Sequence, residues 1–299
     1  MSTGQHWLRA FRLRTLPLAL SSIAMGGFLA ADAGAFRWDI FLLCILTTVF
    51  LQILSNLAND YGDSIHGADN AGRKGPTRAV QSGAISPAHM RMAIALFAAL
   101  SFLTGIALLA VSLGLRWRAW AFFLILGMLS IAAAVTYTIG RKPYGYAGLG
   151  DISVLAFFGP VGVMGSYYLF TQTISWYEMM PAISLGLFSV AVLNINNIRD
   201  IESDKLAGKH SVPVRLGRRK AVAYHWMLLT VAIASSVAYT ILKLNTPWQF
   251  LFILALPLFL RNALAVKSKP SEQLDPYLRQ MAISTLVYVL LFGAGLAIG

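Results

Sequence analysis

Apolar residues run through this chain in long stretches broken by short polar connectors. The stretches predict spans at about 16–34, 38–58, 91–114, 118–138, 150–170, 179–198, 221–242, 247–266 and 278–298, each near the roughly 20 residues that cross a bilayer. The expectation is an all-α integral membrane protein of nine transmembrane helices, one membrane-embedded domain over 1–299. The fifth span is the least regular, because Asp151, several glycines and Pro160 interrupt it. The first span follows a polar stretch with Arg9, Arg12 and Arg14, a layout shared with signal peptides; eight further spans make a retained helix the better expectation.

Composition agrees: 57% of residues are hydrophobic and 12% charged, against the roughly 25% charged of soluble domains. Charge adds a direction. Of the 24 Lys and Arg, 20 fall on one side of the nine-span map, and only Arg37, Arg116, Arg118 and Lys243 fall on the other. By the positive-inside rule the N-terminus is cytoplasmic and the C-terminus lies on the opposite face. Trp38, Trp117, Trp120, Trp176 and Trp248 fall at span ends on that opposite face, as an interfacial belt would. The net charge of +12 is thus accounted for by topology and calls for no nucleic-acid partner. The single cysteine, Cys44, lies in an apolar run, and the five histidines show no zinc-ligand spacing.

Acids concentrate at two places. Leu54–Asp69 closes the second span with Asn56, Asp60 and Asp63 on one helical face, then Asp69 in a loop. Asn196, Asp200 and Asp204 repeat the arrangement at the end of the sixth span. Four spans separate the two, so both ends reach the cytoplasmic side, each followed by a basic, Gly-containing loop. This is the pattern of a degenerate parallel internal repeat, with acid motifs at 56–69 and 196–204. Acids facing one another need a cation between them. Oxygen donors without thiols favour a hard one such as Mg²⁺, which takes one or two carboxylates and completes its shell with water and phosphate. Arg73, Arg78, Lys142 and Lys209 offer donors for a diphosphate, and the apolar body beneath could hold a hydrocarbon tail.

NDYGD at 59–63 with Asp69, and DIESD at 200–204, resemble the UbiA superfamily of intramembrane aromatic prenyltransferases. Within it, LQILSNLANDYGD, GPTRAVQSGAIS, TYTIGRKPYGYAGLGDISV and LNINNIRDIESDKLAGKHSVPVRLG are similar to bacterial members acting on 1,4-dihydroxy-2-naphthoate in menaquinone biosynthesis. The superfamily spacing NDxxDxxxD would place a third acid at Gly67, whereas this chain has Asp69. The resemblance implies a multi-pass protein of the bacterial cytoplasmic membrane that transfers a prenyl group from polyprenyl diphosphate to an aromatic carbon, with loss of diphosphate and CO₂. It implies Asp60, Asp63, Asp200 and Asp204 as the catalytic, Mg²⁺-holding acids, with Asn56, Asn196 and Asp69 in support. Asn197, Tyr144, Tyr146 and Asp151 are the candidate acceptor contacts, and Tyr61 or Tyr137 could also steady an allylic cation.

Plainer readings stand beside these. Glu202 lies off the Asp200/Asp204 face and reads as a solvated acid, and His66 and His210 as loop histidines. Arg218, Arg219 and Lys220 read as orientation determinants. Asp151 serves equally as a helix-start residue favouring the dipole. A cation-coupled transporter also combines parallel repeats with membrane acids, but would keep them near the midplane. A prenyltransferase for another acceptor, such as 4-hydroxybenzoate, shares every feature of the diphosphate site.

Overall fold

A computed structural model describes residues 3–67 and 77–298, and every regular element among them is helical. A short helix α1 (Thr3–Phe11) precedes α2 (Leu16–Asp32), α3 (Trp38–Ile65), α4 (Pro87–Leu113), α5 (Trp117–Thr136), α6 (Gly150–Thr171) and α7 (Met179–Arg199). A single-turn helix α8 (Ile201–Leu206) leads to α9 (Val212–Leu242), α10 (Pro247–Ser268) and α11 (Asp275–Ile298). Nine helices among the described residues are long and apolar enough to cross a membrane, in agreement with the spans expected from the hydrophobic pattern.

Three departures from that pattern matter. The second span was expected to end near 58, but α3 has 28 residues, a rise of about 42 Å. The first acid motif therefore forms the last turns of the helix. The irregular fifth span is a helix whose middle, Phe157–Met164, is wound in π turns around Pro160. The second acid motif is not one straight helix: α7 stops at Asp200 (φ −102°, ψ 14°) and α8 restarts after it. Helical hydrogen bonds still run from Asp200 N to Asn196 O and from Asp204 N to Asp200 O, so the three side chains stay close along one edge.

Packing is uneven. In α7, α9, α10 and α11 the rings of Phe188 and Phe259 stack at 4.4 Å, with Tyr288, Phe252 and Phe292 packed around them. Ser184 and Ser236 bond each other there, and Ser236 bonds Tyr288. By contrast α5 has no buried residue at all. The α3–α4–α5 side and the neighbouring faces of α2 and α6 enclose an apolar chamber of about 410 Å³, lined by residues such as Leu51, Phe102, Leu109, Met128 and Phe157. Trp38, Trp117, Trp176 and Trp248 are exposed at the ends of helices away from the acid motifs.

Candidate active site

The end of α3 and the end of α5 touch at Gly62. A side chain there would collide with Thr138, whose Oγ1 donates to the Ala58 carbonyl at 2.9 Å. That close approach gives the glycine of NDYGD a packing role and brings the 137–149 loop over the first acid motif. The loop is tied to the segment after α8: His210 N donates to Tyr146 O at 2.8 Å, and Arg215 Nη2 to Ala147 O at 2.7 Å. Gly148, at φ +84°, makes the turn that permits it. Lys209 N bonds Asp204 O, folding the lysine back beside its own motif.

These contacts converge on Asp63. Its carboxylate takes Arg78 Nη1 at 2.6 Å, Lys209 Nζ at 2.9 Å and the Tyr146 hydroxyl at 2.8 Å. Lys209 also stands 3.6 Å from Asp204 and 4.8 Å from the centre of the Tyr146 ring, so one ammonium bridges the two acid motifs. Burial and the neighbouring Asp63 carboxylate push the Tyr146 phenol up, which keeps it a proton donor. All of these line a polar cavity of about 210 Å³ together with Asn196, Asn197, Asp200 and Asp151. It adjoins the apolar chamber, with Gln52, Asn59, Tyr137, Val154 and Phe158 in the walls of both.

Other expected site residues are engaged differently. Asp60 is buried and accepts the backbone N–H groups of Ala79 and Val80 at 3.1 and 3.2 Å, capping the turn that delivers Arg78. It is not in the cavity wall. Asn56 lines the apolar chamber, its amide donating to Phe11 O and Thr15 Oγ1. Tyr144 lines that chamber too, bonded to Ala133 O and Ser153. Lys142 is exposed on the loop and lines neither space. Asp69 and Arg73 lie outside the described residues.

The hydrophobic pattern did not single out Arg199, which counted only as an orientation charge. It is 2% exposed and clamps Asp200 through Nε and Nη2 at 2.9 and 2.6 Å. Nη2 also reaches Asn196 Oδ1, while Nη1 pairs with Asp275 at 2.6 Å, itself held by Arg14 at 2.8 Å. Arg12, Arg14 and Arg279 also line the polar cavity. Sequence could have flagged Arg199 only by its place beside a motif acid.

The residues fit a hard cation. Carboxylates Asp63, Asp200 and Asp204 and the amides of Asn59 and Asn196 offer oxygens, with no thiol in the polar cavity. Among the described residues no three His, Cys, Asp or Glu groups gather as one metal-holding set. An ion here would take one or two carboxylates and leave most of its shell to water and phosphate, the habit of Mg²⁺.

A model of the UbiA prenyltransferase family matches residues 19–286. The chain belongs to that family. A 1,4-dihydroxy-2-naphthoate octaprenyltransferase of Haemophilus influenzae is 46% identical over 297 residues, covering 98% of this chain and 96% of the relative. The enzyme of that name from Escherichia coli is 44% identical, covering 99% and 96%. Among solved structures, the apo UbiA homolog from Aeropyrum pernix superposes with a TM-score of 0.70 at 18% identity, covering 96% of this chain and 98% of its own. A UbiA homolog from Archaeoglobus fulgidus bound to GPP and Mg²⁺ gives 0.68 at 16% identity, covering 98% and 99%. The two-cavity arrangement is thus set in the UbiA fold.

Proposed function

We propose that this protein transfers a polyprenyl group from polyprenyl diphosphate to 1,4-dihydroxy-2-naphthoate, with release of diphosphate and CO₂. The observation that carries the reading is Lys209 spanning Asp63 and Asp204 in a polar cavity that adjoins an apolar chamber. Two acid motifs and a cationic centre suit a diphosphate with its metal, and the chamber suits the tail. The acceptor rests on the relatives, which carry the name of that substrate along their whole length.

Asp63, Asp200 and Asp204, with Asn196, would hold Mg²⁺, while Asp60 sustains the turn bearing Arg78. Bound with the donor, Mg²⁺ would supply positive charge against the charge developing on the departing diphosphate. Arg78 and Lys209 donate to the phosphate oxygens and stabilise the same charge from the protein side. The rings of Tyr137 and Tyr146 line the same cavity and would be at hand to steady the allylic cation, from which the apolar chamber would keep water. Asn197, Tyr146 and Asp151 form the acceptor's side of the cavity. The site faces the cytoplasm, on the side that carries most Lys and Arg.

The test is to incubate purified protein with polyprenyl diphosphate, Mg²⁺ and either acceptor, and to identify the lipid product by mass. Demethylmenaquinol is expected, and none with excess EDTA. Prenylated 4-hydroxybenzoate in its place would overturn the acceptor and leave the diphosphate site standing.

A further inference from the structure

Four carboxylates line the polar cavity, and three of them are already matched to cations: Asp63 to Arg78 and Lys209, Asp204 to Lys209, Asp200 to Arg199. Asp151 is the exception. It sits in the first turn of α6 and is 8% exposed, and no Lys, Arg or His nitrogen of the described residues lies within 4.0 Å of it. Among the described residues its one side-chain partner is the hydroxyl of Tyr224, on α9, which donates to Oδ2 at 2.8 Å. A buried carboxylate at the end of a membrane span with no cation in contact is costly to keep and points to function. A carboxylate held by an ammonium or guanidinium makes a weaker proton acceptor than one held by a single phenol.

We propose that Asp151 is the general base for the acceptor's hydroxyl and that Tyr224 is a positioning residue fixing its carboxylate. The proposal rests on the prenyl-transfer reading above. The O–H bond on the ring carbon next to the carboxylated carbon breaks, and its proton passes to Asp151. The electron pair moves through the ring, so the carboxylated carbon bonds to the allylic carbon. The donor's C–O bond breaks, and diphosphate leaves with that pair. The bond from the ring to the carboxylate then breaks; CO₂ departs and its bonding pair restores the aromatic naphtholate. Asp151 returns the proton to that oxygen. No proton is consumed overall, and neither an oxidant nor a reductant is needed.

The test compares Asp151→Asn, Asp151→Ala and Tyr224→Phe with the unaltered chain, using Mg²⁺, geranyl diphosphate and 1,4-dihydroxy-2-naphthoate. Binding of geranyl S-thiolodiphosphate is measured by calorimetry in parallel. Asp151→Asn is expected to lower kcat by roughly 10²- to 10⁴-fold, with analogue binding unchanged within about twofold. Added formate should restore part of the turnover of Asp151→Ala, which a merely structural carboxylate would not allow. Tyr224→Phe should lower kcat by about tenfold without changing KM for the donor. Transfer within tenfold of the unaltered chain in Asp151→Asn would overturn the proposal. So would loss of analogue binding together with transfer, or no response of Asp151→Ala to formate. Failure of the unaltered chain to make the prenylated naphthalenediol would instead remove the functional reading on which the proposal rests.

Discussion

Asp63 and Lys209 lie far apart in the chain, yet the ammonium rests on that carboxylate and within reach of Asp204. Two carboxylates brought together without a cation repel, and the lysine supplies the positive charge that holds the two acid motifs together. On the proposed function, its replacement would remove both a phosphate donor and that neutralisation. For Lys209→Ala we expect a loss of about 1.5–3 kcal/mol, roughly ten- to a hundred-fold in kcat/KM for the prenyl diphosphate. Lys209→Arg should recover part of it. Steady-state kinetics with the donor varied check this, and an unchanged kcat/KM in Lys209→Ala would reduce the residue to a topological charge. Asp63 and Asp204 stood out in the sequence because an acid at the end of an apolar span has few other reasons to be there, and Arg78 and Lys209 because they sit in the basic loops beside those acids. Asp60 shares a helical face with Asp63 by spacing alone, and periodicity could not say that the next turn's backbone would claim it. The Tyr224 bond to Asp151 joins residues 73 positions apart on two helices, and no local pattern encodes it.

At the level of helices, lengths and directions were largely readable and the breaks were not. Hydrophobic run length located nine spans, but the bend at Asp200 and the π turns of α6 arise from packing that single-sequence periodicity does not carry. The direction of the spans makes a separate prediction. Ala207 follows α8 on the acid side, and Leu115 precedes α5 at the other end, fully exposed. In a Cys44→Ser background, a membrane-impermeant thiol reagent added to right-side-out vesicles should label Leu115→Cys and spare Ala207→Cys. The opposite pattern would reverse the orientation drawn from the 20-to-4 charge split.

The whole molecule divides into a tightly interlocked half and a half that surrounds open space. Stacked rings and bonded hydroxyls clamp α7, α9, α10 and α11, whereas α5 contributes a chamber wall without burying one residue. Phe122, Ile125 and Leu129 on that helix, which do not line the chamber, are more than half exposed. In a bilayer that face would meet acyl chains, which would form the outer course of a wall of which the protein supplies only the inner one. The lateral pressure of the membrane is then expected to bear on turnover. Turnover measured in nanodiscs should change as 14-carbon lipids are exchanged for 18-carbon ones, while Mg²⁺ dependence stays fixed. Equal rates in both would mean that α5 holds itself in place. Otherwise the lipid annulus works as an unlinked subunit, replaced whenever detergent takes its place.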